Sequence, residues 1–155
     1  MSKSDEFSYQ SPTVPPGALF VAAGDALLVF PSAVVATSSL EATDVVEGLY
    51  PAAYGPEGAA YRLRCEGNRV LIEANGEANR PDELKALLLC HLEACEEPAD
   101  ATQSLEEIVA LAWSIERDFQ VRCGPSGNRI GSRVPVWSYA AGALALGAIW
   151  YFGLR

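Results

Sequence analysis

The sequence predicts an α+β fold, in which a small, mostly antiparallel sheet of two hairpins carries about three packed helices and is followed by one C-terminal transmembrane helix. Three observations predict it. Short apolar runs come in pairs separated by Gly-containing turns, the period changes to that of amphipathic helices from Pro81 onward, and residues 134–154 carry no charge between Arg133 and Arg155. Strands grouped ahead of helices, rather than alternating with them, point to helices packed on an antiparallel sheet. A chain of 155 residues has room for one core of about 100–120 residues plus appendages, which sets an acidic domain at residues 17–122.

The first stretch, "MSKSDEFSYQSPTVPPG", has no apolar leader and no arginine, so neither a secretory signal nor a transit peptide is expected there, and residues 1–16 read as a disordered Pro/Ser arm. In "GALFVAAGDALLVFPS" the apolar runs 18–22 and 26–30 flank Ala23-Gly24-Asp25, the pattern of a hairpin of two largely buried strands. Pro31 ends the second strand because it has no N–H for the ladder. "TSSLEATDVVEGLYP" predicts a short helix with Ser39 as N-cap, Leu40, Val45, Val46 and Leu49 near helical spacing, and Pro51 as the stop. The β-branched pair Val45-Val46 keeps a strand as the rival reading there.

In "AYRLRCEGNRVLIEANG", Tyr61, Leu63 and Cys65 alternate with Arg62 and Arg64, and Gly67-Asn68 occupies a two-residue turn before Arg69 to Glu73. This predicts a hairpin with one buried face, Arg62, Arg64 and Arg69 lying on the solvated one. Pro81 suits a first helical position, Asp82 and Glu83 suit the first turn, and Leu84, Leu87, Leu88, Leu89 and Leu92 make this helix, reaching about Cys95, the centre of the core. Ser104 and Glu107 form a capping box, after which Leu105, Ile108, Val109, Ala112, Ile115 and Phe119 make one stripe, flanked by Trp113. "CGPSGNRIGSR", residues 123–133, reads as a Gly/Ser basic hinge.

The run 134–154 is 21 residues, which as a helix would span roughly 31 Å, the thickness of a bilayer's hydrocarbon layer. Trp137 and Tyr139 near one end, and Trp150 and Tyr151 near the other, would place amphipathic rings at both headgroup layers, with Arg133 and Arg155 outside them. A buried C-terminal helix is the rival reading, but a core helix has no use for two aromatic belts. Arg122, Arg129 and Arg133 ahead of the run predict that the N-terminal domain stands on the cytoplasmic or topologically equivalent side. The middle of the run is Ala and Gly, which gain little from lipid contact but let backbones approach closely. Ala141, Gly142, Ala143, Ala145 and Gly147, with the pairs Ala143/Gly147 and Ala141/Ala145, therefore predict packing against another transmembrane subunit or a second copy.

Little in the chain suggests chemistry. All 20 Asp and Glu residues fall at or before Asp118, and a pI near 4.5 argues against nucleic acid as a partner, because phosphates need a Lys/Arg-rich surface. Cys90-His91-x-x-x-Cys95 invites a metal reading, but on a helix the two cysteines stand about 140° apart around the axis and cannot converge on one ion. His91 is the only histidine, so no triad can be assembled, while Glu96-Glu97 and Glu106-Glu107 suit helix ends. "GPEG" and "GPSG" lack the Lys and Ser/Thr of a phosphate loop. No catalytic residue, cofactor or metal is expected. The leading expectation is a non-catalytic, tail-anchored, single-pass accessory or assembly subunit of a membrane complex, with the bilayer and other transmembrane subunits as partners. The alternative is a membrane-tethered inhibitor or immunity-type protein that neutralises a basic partner, and a thiol-based redox or metal protein ranks third.

Overall fold

The computed structural model describes residues 13–24, 26–97 and 99–123. The chain divides into two units, Met1–Pro125 and Ser126–Arg155, and every described residue belongs to the first. The initial apolar pair forms β1 (Leu19–Ala23) and β2 (Ala26–Phe30), an antiparallel hairpin in register from Ala23↔Ala26 to Leu19↔Phe30. Gly24 supplies the left-handed φ of 59° that a two-residue turn requires. Both strands alternate between two buried faces, which explains why they read as unbroken apolar runs rather than as a polar/apolar alternation.

The next segment differs from the single helix expected from Ser39. It folds as two short helices, α1 (Ala33–Ser39) and α2 (Ala42–Val46), so four helices are described where about three were anticipated. Ser39 is the last residue of α1, and the cap of that helix is Ser32, whose hydroxyl accepts from the Val35 N–H at 3.3 Å. "AVVATSS" has low helix propensity, since its valines lose rotamers and its hydroxyls compete for backbone groups. Packing of the fully buried Ala36 against the sheet, with the Ser32 cap, outweighs that deficit.

A two-residue strand, β3 (Ala53–Tyr54), joins the two hairpins, which the sequence did not suggest because two residues show no period. It pairs with β1 through Phe20↔Tyr54 and with β4 (Ala60–Glu66) through Ala53↔Tyr61. β4 and β5 (Arg69–Ala74) form the anticipated hairpin around Gly67-Asn68, completing a five-stranded antiparallel sheet in the order β2-β1-β3-β4-β5. The β3–β4 loop is held by the Gly58 N–H donating to the Gly55 carbonyl at 3.0 Å, and it docks on the start of the following helix, where the Arg80 N–H donates to the Gly58 carbonyl at 2.7 Å.

Helices cover the sheet in two layers. On one face α3 (Pro81–Ala94) and α4 (Leu105–Cys123) pack over β1, β2 and β3, joining Phe20, Leu27, Val29 and Tyr54 to Leu84, Leu88, Leu92, Ile108 and Trp113. Leu84, Leu88 and Leu92 form a fully buried i, i+4, i+8 row, as the leucine pattern anticipated. On the other face α1 lies against β5 and α2 against β4 and β5, over Leu19, Val21, Phe30, Ala53 and Val70. The face of β4 and β5 opposite α1 and α2 is exposed, and it displays Arg62, Arg64 and Arg69 as expected, with Arg64 bonded to Glu73 at 2.7 and 3.0 Å.

The ends of α3 and α4 satisfy their own backbones. Ser104 and Glu107 bond reciprocally, the Ser104 N–H donating to Glu107 at 2.8 Å and the Glu107 N–H to the Ser104 hydroxyl at 3.3 Å, as the capping box requires. After α3 the Glu96 and Glu97 N–H groups donate to the carbonyls of Glu93 and Leu92, a Schellman closure in which Glu96 takes the left-handed φ of 59°. Among the described residues no helix is long and apolar enough to cross a membrane. The expected transmembrane helix at 134–154, the hinge beyond Cys123 and most of the arm lie outside the described residues.

Candidate functional site

The expected membrane-interface residues Arg133, Trp137, Tyr139, Trp150, Tyr151 and Arg155 lie outside the described residues, as do the packing positions Ala141, Gly142, Ala143, Ala145 and Gly147. Within the described fold the surface least explained by packing is the outward side of the α1 and α2 layer. Val34, Val46 and Leu49 are 78%, 75% and 49% exposed, and they are three of the four large aliphatic side chains that the described residues leave to solvent. Val34 and Ser38 share one face of α1 by their four-residue spacing, and Thr43, Val46 and Glu47 share one face of α2; all five are exposed.

The hydroxyls of α1 bond to their own helix. The Ser38 and Ser39 hydroxyls donate to the Val35 carbonyl at 3.0 and 2.8 Å, and Thr37 donates to Ala33 at 2.8 Å. Tyr50 donates to Asp44 at 2.9 Å, tying the segment after α2 back onto it. Burial of that phenol, followed by its bond to Asp44, pushes the Tyr50 hydroxyl up to about 12. Glu41 and Glu47 are exposed, and no ion pair among the described residues involves them or Asp44. The reason lies in the sequence, since residues 4–61 contain no Lys, Arg or His. Among the described residues, these acids thus stand near exposed aliphatics without an ion-pair partner.

A second cluster joins β3 to α3. Tyr54 donates to Glu83 at 2.7 Å, Arg80 bonds Glu83 at 3.2 Å and Glu77 closely, and the β3–β4 loop seats beside them. Burial and the bond to Glu83 push the Tyr54 hydroxyl up to about 12, while the phenol and the Arg80 guanidinium hold the Glu83 carboxyl below its usual range. The bonds in this cluster are directed at the α3 start, which makes it a structural clamp.

Among the described residues Cys65, Cys90 and Cys95 do not assemble. Cys65 donates to the Ala42 carbonyl at 3.3 Å, Cys90 is exposed, and Cys95 approaches His91 Nε2 at 3.6 Å, one turn away on the same helix face. The pair that the helix brings together is thus His91 with Cys95, and not Cys90 with Cys95. Among the described residues no group of three or more His, Cys, Asp or Glu side chains could hold a metal ion. Trp113, expected to flank the core, lies inside it at 6% exposure, and its indole N–H has no hydrogen-bond partner among the described residues.

The α1 and α2 surface is not evident from the sequence because Val34 precedes the helix expected from Ser39, and the helical spacing of Val46 and Leu49 does not say which of them faces solvent. The absence of cations from 4–61 is the signal that could have found it. No family model, curated protein or solved structure matches the chain.

Proposed function

We propose that the protein is a non-catalytic, single-pass membrane protein that is anchored through residues 134–154 and docks its acidic α+β domain on a partner, as an accessory or assembly subunit of a membrane complex. The observation that carries this reading is the run itself, 21 uncharged residues between Arg133 and Arg155 with Trp or Tyr near each end. Its Ala/Gly middle supports a helix that packs against another transmembrane helix. Arg122, Arg129 and Arg133 support placement of the domain on the cytoplasmic or equivalent side.

Alkaline carbonate extraction of membranes tests the anchor, and native mass measurement after mild detergent extraction tests the assembly. Retention in the carbonate pellet and a stable hetero-complex are expected. Release by carbonate would overturn the anchor, and a lone monomer in mild detergent would overturn the assembly role.

One observation favours a second reading, a membrane-tethered inhibitor of a basic partner: the chain carries a net charge of −9, and no Lys, Arg or His lies between Lys3 and Arg62 to offset the acids there. Tight, salt-sensitive capture of one basic soluble protein by the full chain would favour it over the assembly role.

A further inference from the structure

The exposed side of α1 and α2 has the chemistry of a docking surface, and we infer that its occupant is a cationic amphipathic helix of a partner protein. The inference rests on the docking role proposed above and names the surface and the partner's chemistry. Four features select that occupant. Val34, Val46 and Leu49 offer apolar anchors, and the exposed residues between them in sequence include the small Ser38, Ser39, Thr43 and Gly48, which suits a partner's larger side chains. The Ser38 and Ser39 hydroxyls already donate to Val35, so covering them strands no donor. Glu41 and Glu47 stand beside the aliphatics without a cation in the ion pairs of the described fold, which leaves charge complementarity to the partner.

Backbone geometry and charge argue against a partner strand, an anionic lipid surface and the same layer of a second copy. The face is helical, so it presents no unpaired strand edge for a partner strand to extend. An anionic lipid surface would be repelled by the same acids that attract Lys and Arg. A second copy of this layer would meet it with equal negative charge. The partner helix therefore carries Leu- or Val-type residues on one side and Lys or Arg along the margins of that side.

The probe is a fluorescent, synthetic amphipathic helical peptide with one leucine face and one lysine face, titrated against the full chain in uncharged detergent micelles and against micelles alone. Two readouts are used, anisotropy for affinity and hydrogen–deuterium exchange for location. Binding beyond the micelle background is expected, with amide protection over residues 33–50. Val34→Ser, Val46→Ser and Leu49→Ser combined should weaken it about tenfold or more, and Glu41→Gln with Glu47→Gln several-fold, the latter loss shrinking as salt rises. Because all five positions are exposed, both variants should melt no lower than the parent.

Unchanged affinity in the triple variant would reduce the effect to bulk charge and overturn the inference. Equal binding of a peptide whose lysines are replaced by glutamine would overturn the charge component. Protection outside 33–50 would overturn the location, and preferential binding of the chain's domain to anionic vesicles through Val34 and Val46 would assign the surface to lipid instead. None of these readings depends on whether residues 134–154 span a bilayer, so failure of this inference and failure of the anchor are separable.

Discussion

Gly58 shows how far one side chain can govern this fold. Its φ of +81° disfavours any residue with a Cβ, and a Cβ built there would lie 2.6 Å from the Pro81 nitrogen and 2.8 Å from the Arg80 carbonyl carbon. Since the clash is with backbone, Gly58→Ala combines left-handed strain with displacement of the α3 start. A loss of about 3 kcal/mol is expected, read as a lower denaturant midpoint with an unchanged slope. The tyrosine bonds carry a pH dependence. Tyr50 and Tyr54 hold their protons to about 12, above the ordinary 10.0, so the stability they contribute is complete below pH 10 and declines as pH rises toward 12. The carboxyls act in the opposite range. Glu73, Glu83, Asp100 and Glu107 are held below their usual values by Arg64, by Tyr54, and by the Thr102 and Ser104 backbone N–H groups. Their contribution is present above the ordinary carboxyl range, about 4, and is lost as pH falls through the folded values. Thermal melts across pH should therefore show a plateau bounded by an acid limb and an alkaline limb, and Tyr54→Phe should flatten the alkaline one.

At the scale of elements, the starts of α3 and α4 were legible, and those of α1 and α2 were not. Ser104 with Glu107, and Pro81 with Asp82 and Glu83, announce starts through residue types that satisfy orphan N–H groups, and α3 and α4 begin where those residues stand. α3 ends at Ala94 with Cys95 as cap, close to the expected end at about Cys95, although Glu96 takes the left-handed position usually filled by glycine. Glu96→Gly should relieve that strain and stabilise the protein by about 1 kcal/mol, raising the melting temperature; a drop would show that the Glu96 side chain contributes more than its backbone costs. The hairpins were legible because Gly24 and Gly67-Asn68 sit between runs of matched length. α1 was not, since its helicity comes from tertiary contacts of Ala36 and a cap at Ser32 while its own residues favour other conformations. β3 was invisible for a different reason, as its two residues are a strand only by virtue of the neighbours they pair with.

Across the whole molecule the controlling quantity is charge. Residues 17–122 hold 18 Asp and Glu against 7 Lys and Arg, and the ion pairs of the described fold engage Arg64 and Arg80. Surface pairs of this kind contribute little, whereas the excess of acids repels itself throughout the domain. Raising sodium chloride from low to moderate concentration should therefore increase the melting temperature by a few degrees, and a decrease would mean that the ion pairs outweigh the repulsion. The candidate surface was legible only in part, because charge is written in the sequence while exposure is not. Val46 looks the same in a string of letters whether it faces the sheet or the solvent.

The missing cations of residues 4–61 also make a large part of the fold silent to one protease and legible to another. Trypsin has no site between Lys3 and Arg62, so β1 through β3, with both short helices, leaves as a single large fragment. A glutamate-specific protease instead meets Glu41 and Glu47 on the exposed side of α2, on the surface where a partner would sit. Cleavage at those two glutamates, slowed or not in native membranes, is a footprint that this chain writes without any label being added.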